Sequence, residues 1–221
     1  MSLIEMKNVN KHYSSGGDVV EALRGVDICI EAGEFITVMG QSGSGKSTLL
    51  SVLGGLNHPT GGEIEMAGVK LYQLPSEHLA DFRARKLGFV FQSFHLISYL
   101  TAMENVMLPL AIVRMKSAEK RAAATKALER VGLGAKLDRL PNQLSGGEQE
   151  RVAIARAIVN NPDILLADEP TGNLDSKTSE EVMMLFRELN DAGQTVVMVT
   201  HNADNCSYAD RSIVLRDGLI V

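Results

Sequence analysis

Cysteine is scarce in this chain: Cys29 and Cys206 are the only two in 221 residues. They lie far apart and lack metal-ligand spacing, so neither a disulfide framework nor a cysteine metal site is expected, and a reducing compartment suits them. Long apolar runs are missing as well. No stretch approaches the roughly 18 apolar residues that span a bilayer. The start, Met1-Ser2-Leu3-Ile4-Glu5-Met6-Lys7, lacks the apolar region of a signal peptide. A soluble chain is expected, with any membrane role supplied by a partner. An excess of positive charge is also absent. The net charge is −5, so bulk electrostatics gives no reason to expect nucleic acid. What remains, 45% hydrophobic and 22% charged residues, is ordinary for one globular domain, or a core with a subdomain.

Against that background one stretch stands out: Gly40-Gln41-Ser42-Gly43-Ser44-Gly45-Lys46-Ser47-Thr48. It follows a strand-like run, Phe35–Met39, and opens into Leu49–Leu53, which reads as a helix. Strand, glycine-rich loop and helix is the context that a phosphate-binding G-x-x-x-x-G-K-[ST] pattern requires. Gly40, Gly43 and Gly45 permit a tight turn whose N–H groups converge on one anion, reinforced by the helix N-terminus. Lys46 can reach β- and γ-phosphates, and the Ser47 hydroxyl can ligate Mg²⁺.

The rest of the chain alternates in texture. Leu3 to about Ile30 reads as strands around a loop at Ser14–Asp18, with Tyr13 just before it; by spacing alone Tyr13 is a packing residue. Pro59-Thr60-Gly61-Gly62 breaks the chain, Glu63–Gly68 reads as a strand entering a turn, and Ser76 to Lys86 as a helix with Ser76 as N-cap. Leu87–Phe91 is a buried strand ending at Gln92, where an α/β sheet presents ligand-facing groups. From Thr101 to Val131 the strand signals vanish. Ala118–Arg130 is rich in helix formers, and Met107–Val113 reads as a buried helix. This stretch marks a helical subdomain inserted into an α/β core.

Leu144-Ser145-Gly146-Gly147-Glu148-Gln149 leads into an alanine-rich helix and offers a second N-terminus able to hold an anion; the plain alternative is a simple helix cap. Ile164–Ala167 is an apolar strand ending in Asp168-Glu169. Paired acids there are poorly explained by packing. Beside a phosphate loop the first acid suits Mg²⁺ and the second suits taking a proton from water. Thr195–Thr200 is another buried strand, and it delivers His201, read as a γ-phosphate contact. Ile213–Leu215, Asp217-Gly218 and Leu219–Val221 form a terminal hairpin pattern.

With these elements in order, the chain resembles the ATP-binding subunit of an ABC transporter over essentially its whole length. The resemblance implies an α/β fold: a P-loop NTPase core with a mostly parallel sheet (1–93 and 157–221), an N-terminal antiparallel β subdomain and an inserted helical subdomain at about 94–156. It implies ATP and Mg²⁺ as cofactors, and it assigns roles. Tyr13 would stack on adenine, reversing the reading from spacing. Gln92 would touch Mg²⁺ or the attacking water. Ser145 and Gly147, flanking Gly146 in the signature, would contact the γ-phosphate held by an opposite subunit. Glu169 would be the catalytic base, His201 would hold the γ-phosphate, and Asp175 would cross a dimer interface. A homodimer in the ATP state is implied, with an integral-membrane permease partner on the cytoplasmic face of the cell membrane.

Phe91–Leu96 with Leu100–Val106, and Ala167–Asp175, resemble in particular the branch of lipoprotein-releasing, macrolide-exporting and peptide-resistance transporters, which also contains the cell-division ATPase. A regulatory ATPase signalling through a membrane partner is therefore the alternative to a transport motor. DNA-repair and translation-factor relatives are disfavoured by the lack of a coiled-coil insertion, a second cassette and a zinc-ligand cysteine set. A small-molecule kinase would leave Ser145–Gly147 and His201 without a role. Ser98, where proline is expected, and Glu150, where glutamine is common, depart from the family pattern; both are expected on surfaces that face a partner.

Overall fold

A computed structural model describes residues 2–15 and 18–221; Met1, and Gly16 and Gly17 of the expected loop, lie outside the described residues. The chain opens with two long strands, β1 (Ser2–Ser15) and β2 (Asp18–Glu31). Strand β3 (Phe35–Met39) runs into helix α1 (Lys46–Leu53), followed by β4 (Gly61–Met66) and β5 (Val69–Lys70). Helix α2 (Ser76–Lys86) leads directly into β6 (Leu87–Phe91). Three helices come next: α3 (Ala102–Met107), α4 (Ser117–Arg130) and α5 (Gly146–Ile158). The chain ends with β7 (Ile164–Asp168), α6 (Ser176–Asp191), β8 (Thr195–Thr200) and the hairpin β9 (Arg211–Arg216) and β10 (Leu219–Ile220).

Among the described residues these strands form two sheets. An antiparallel sheet has the order β2-β1-β4-β5, and a larger one has the order β10-β9-β3-β8-β7-β6. In the larger sheet every pair is parallel except β9–β10. The apolar runs of β7 and β8 follow from burial on both faces. Val196 and Met198 enter one core with the helices α3 to α6, while Val197 and Val199 enter a second core with α1 and the antiparallel sheet. Leu165 and Ala167 divide from Ile164 and Leu166 in the same way. Full burial of such a side chain stabilises by about 1.5–3 kcal/mol, so the sheet is held from two sides. The α/β class with an antiparallel N-terminal sheet and helices between β6 and β7 agrees with the sequence.

Local details differ. Strands β1 and β2 extend to Ser15 and from Asp18, leaving little of the expected loop. Gly61 and Gly62 belong to β4 rather than to a break. Ser76 is the first helical residue and Pro75 the cap, with no side-chain capping bond. Met107–Val113 is not a buried helix. Pro109 removes a donor, Leu108–Ile112 winds as a 3₁₀ turn, and Leu108 and Ile112 are exposed while Leu110 alone is buried. Helix α6 carried no sequence expectation, although Asp175 caps it by accepting from the Thr178 N–H at 3.1 Å.

Glu150 overturns an expectation outright. Ser98 is exposed, but Glu150 is 0% exposed, and neither of its carboxyl oxygens has a hydrogen-bond partner. The charge that acts on it is Arg156, whose guanidinium is spent on the carbonyls of Phe94 at 2.6 Å and His95 at 2.5 Å. Burial pushes the Glu150 carboxyl up to about 9, so the folded chain carries it protonated at neutral pH. Ionising it in the folded state would leave a buried charge without a hydrogen bond, the costlier alternative.

In the unfolded chain the Glu150 carboxyl ionises near its ordinary value of 4.5. Between there and about 9 the folded state holds one extra proton, so this group lowers stability progressively as pH rises. Glu150→Gln should therefore stabilise the protein, with a gain that grows by at most about 1.4 kcal/mol per pH unit across that window. Denaturant midpoints of both proteins at pH 5.5 and 8 measure this; an equal difference at the two pH values would contradict a protonated Glu150.

Candidate functional site

The carboxyl ends of β3, β8, β7 and β6 lie side by side, because parallel pairing runs Met39 beside Thr200, Asp168 beside Val199 and Phe91 beside Asp168. Each strand delivers one of the residues singled out in the sequence. After β3 the chain turns through Gly43 at φ +81° and Gly45 at φ +105°, a left-handed region that L side chains rarely adopt. Helix α1 begins at Lys46, three residues before the sequence expectation, and Gly45 is its N-cap without a side-chain bond. Lys46, Ser47 and Thr48 thus form the first turn, whose N–H groups have no acceptor within the helix and suit an anion. A Cβ on Gly40 would meet the Leu215 carbonyl oxygen at 2.3 Å, and one on Gly45 the Ala22 carbonyl at 2.3 Å. The loop is wedged between the terminal hairpin and β2. Inside it, the buried Ser44 Oγ has no partner.

The Lys46 ammonium is buried and folds back over this loop, donating to the carbonyls of Gly40 at 2.7 Å and Gln41 at 3.1 Å. It also stands 3.9 Å from Glu169 Oε1. Ser47 Oγ donates to Asp168 Oδ1 at 3.4 Å. The Asp168 carboxyl is raised from its ordinary range by burial and by the neighbouring Glu169, and partly restored by Ser47 and Lys46. Glu169 adopts φ +50°, outside the regions favoured by a non-glycine residue. Its Oε2 lies 2.5 Å from His201 Nδ1 and accepts from the His201 backbone N–H at 3.3 Å. The exposed Gln92 approaches the same loop. Its backbone carbonyl accepts from Asn173 Nδ2 at 2.8 Å, and a Cβ on Gly172 would meet its Nε2 at 2.8 Å.

The fold therefore gathers Lys46, Ser47, Asp168, Glu169, His201 and Gln92 at one rim. Ser145, Gly146, Gly147 and Asp175 stand apart. Among the described residues no hydrogen bond or ion pair joins them to the phosphate loop. Ser145 caps α5 reciprocally: Glu148 N–H donates to Ser145 Oγ at 3.3 Å, and Ser145 N–H to Glu148 Oε2 at 3.0 Å. The cap and the exposed position coexist, and the start of α5 packs on α6, where a Cβ on Gly147 would meet Thr178 Cγ2 at 2.2 Å. Tyr13 is exposed on β1, opposite Val20 of β2, with the Lys11 ammonium 5.0 Å from its ring. Sequence reading missed Arg156, Thr171, Thr200 and Asn205, which support these loops from below. Arg156 reaches Phe94 and His95, and Asn205 reaches Thr171, across 34 to 62 residues, so no local pattern marks these links.

The oxygens of Ser47, Asp168 and Gln92 suit Mg²⁺, a hard cation usually held by one or two carboxylates together with substrate phosphates. No group of three or more His, Cys, Asp or Glu residues placed to hold a metal ion occurs among the described residues. None of the described helices is long and apolar enough to cross a membrane.

A phosphate loop after a parallel strand, facing an acidic strand end and a histidine, defines a nucleotide-binding ATPase core. Residues 23–172 match the family model described as ABC transporter, and the chain belongs to that family as an ATP-binding cassette with ATPase activity. It is 50% identical over 219 residues to an uncharacterized ABC transporter ATP-binding protein of Methanocaldococcus jannaschii, covering 99% of this chain and 98% of that one. It is 48% identical over 221 residues to the macrolide export ATP-binding/permease protein MacB of Rhodopirellula baltica, covering 99% of this chain but 32% of that protein. The chain thus spans about a third of the length of such fused relatives. The dimeric post-hydrolysis structure of the ATP-binding cassette MJ0796 bound to ADP and Pi superposes with a TM-score of 0.90 at 46% identity, covering 98% of this chain and 96% of that one.

The wedged loop yields a contrast between two glycines. Gly43→Ala meets no atom within 4 Å and should cost only the left-handed backbone, about 1–2 kcal/mol. Gly45→Ala must also displace the Ala22 backbone, so it should cost more and weaken ATP binding further. Denaturant titration with equilibrium binding of a fluorescent ATP analogue measures both; equal effects would show that contact with β2 does not shape the loop.

Proposed function

We propose that this chain is the motor subunit of an ABC transporter, in which ATP closes a dimer of two copies and hydrolysis reopens it, driving an integral-membrane permease from the inner face of the cell membrane. The reading rests on one observation. The phosphate loop, acids and histidine converge at one rim, whereas Ser145, Gly146 and Asp175 are exposed at the starts of α5 and α6. Half of an ATP site is thus turned outward, available to a second copy. The dimeric cassette similar to this chain and the permease fused to its MacB relatives support the same reading.

In this mechanism the first turn of α1 and Lys46 hold the β- and γ-phosphates, and Lys46 exchanges its carbonyl partners for phosphate oxygens. Ser47, Asp168 and Gln92 would hold Mg²⁺, which would supply neutralisation of the developing phosphoryl charge. Glu169 takes a proton from water as the water oxygen bonds to the γ-phosphorus and the bond to the ADP oxygen breaks. His201 leaves Glu169 and holds the γ-phosphate. Tyr13 stacks on adenine, and Ser145 and Gly147 of the second copy close the site. An apolar groove of about 420 Å³ between α2, β6 and the 3₁₀ turn, lined by Phe89, Phe91, Leu108, Pro109 and Ile112, adjoins Gln92 and suits a short segment of the permease. Macrolide export fits the MacB relatives.

Two substitutions test the scheme. Glu169→Gln should keep ATP affinity, lower turnover at least 100-fold and accumulate an ATP-dependent dimer in size-exclusion chromatography; normal turnover would remove Glu169 as base. Ser145→Arg should leave monomer binding of ATP intact and abolish that dimer in the Glu169→Gln background. A persistent dimer would sink the assignment of α5 to the opposite site.

A further inference from the structure

The Glu169–His201 contact cannot be what holds these two loops in register during turnover. If Glu169 turns to water and His201 to the γ-phosphate, their 2.5 Å contact is given up. Below it lies a connection that does not involve either functional side chain. Asn205 sits in the 3₁₀ turn Ala203–Tyr208 that follows β8, 2% exposed. Its amide nitrogen donates to Thr171 Oγ1 and to Thr200 Oγ1, each at 3.0 Å. An amide NH₂ has two protons, and both are used, one on each loop. Thr200 immediately precedes His201. Thr171 lies two residues after Glu169, inside the turn closed by Gly172 N–H donating to the Glu169 carbonyl at 3.0 Å.

We propose that Asn205 is a positioning residue for hydrolysis, a buried two-point bridge that keeps the Glu169 loop and the His201 loop aligned once their side chains separate. The geometry is specific to this residue type. A shorter serine would not span both oxygens, and an apolar side chain would leave two buried hydroxyls short of a partner. The bridge also steadies a strained element, because Glu169 stands at φ +50° and such a backbone persists only where its surroundings over-determine it. Thr200 Oγ1 accepts from the Asn202 N–H as well, at 3.0 Å, so the turn carrying Asn205 is tied to the same oxygen. Small displacements at a reacting centre are costly in rate while leaving binding made elsewhere in the site untouched.

This inference rests on the proposed roles of Glu169 and His201, and the experiment separates the two. Steady-state ATPase kinetics and binding of a fluorescent ATP analogue are measured for Asn205→Val, Thr171→Val, their double variant and Glu169→Gln. Asn205→Val should lower kcat about 10-fold with KM and nucleotide affinity unchanged. Thr171→Val should lower it similarly, the double variant should lose no more than either single one, and Thr171→Ser should recover most of the rate lost in Thr171→Val. Thr171→Val also serves if Asn205→Val does not fold. A kcat for the valine variants within 2-fold of the parent, alongside a Glu169→Gln that is inactive, would overturn the bridge alone. So would fully additive losses, or losses in which affinity and rate fall together. Normal turnover in Glu169→Gln would overturn the underlying reading instead.

Discussion

Two carboxylates and one ammonium share the carboxyl-terminal rim of the parallel sheet, and their mutual placement governs the rest of the site. Asp168 and Glu169 are consecutive on the end of β7, where like charges in a partly buried setting repel and the Asp168 carboxyl is raised from its ordinary range. Lys46 and Ser47 of α1 and His201 after β8 relieve that repulsion from two other segments of chain. None of these partners is local. Their convergence depends on parallel register, which sets the ends of β3, β8 and β7 level, and on the buried apolar faces that keep the register from slipping. A central sheet burying both faces is the physical condition for the acidic rim.

The same rim is poised for an anion. Lys46 is turned onto the carbonyls of Gly40 and Gln41, neutral acceptors that phosphate oxygens can replace with stronger, charge-assisted bonds. The open N–H groups of α1 add a field of the same sign. Cost is concentrated in the connecting loops: left-handed Glu169, a Gly45 pressed on Ala22, and an unpaired Ser44 hydroxyl. Supporting amides offset it. Asn173 ties the loop after β7 to the Gln92 backbone, and Asn205 ties it to the end of β8, so hydrogen bonds link the three loops.

Glu150 and Arg156 show the opposite use of polarity. Both lie on α5, yet the guanidinium serves the carbonyls of Phe94 and His95, two residues at φ +59° and +47°, and the carboxyl is left buried without a hydrogen bond. Arg156 thereby braces the segment beyond Gln92, while Glu150 lowers stability for as long as the pH favours its ionisation in the unfolded chain. The helix that begins at the exposed Ser145 thus ends by holding the strained segment after Gln92.

Motifs with short-range mechanisms were legible from the amino acids alone. The phosphate loop, the acid pair, the serine–glycine turn before α5 and the apolar strands declare themselves because their physics is local: a turn needs glycine, a doubly buried strand needs an unbroken apolar run, and a helix start needs a cap. The α/β class followed from the alternation of such segments. Tertiary structure alone decided whatever depends on partners remote in sequence. It buried Glu150, for which a helix position following an exposed signature gave no warning, and it unwound Met107–Val113 around Pro109. It also joined Asn205 to Thr171 and Arg156 to Phe94, across 34 and 62 residues. Polar side chains reveal their role only through the groups they meet, and those meetings are set by the packing of the sheet.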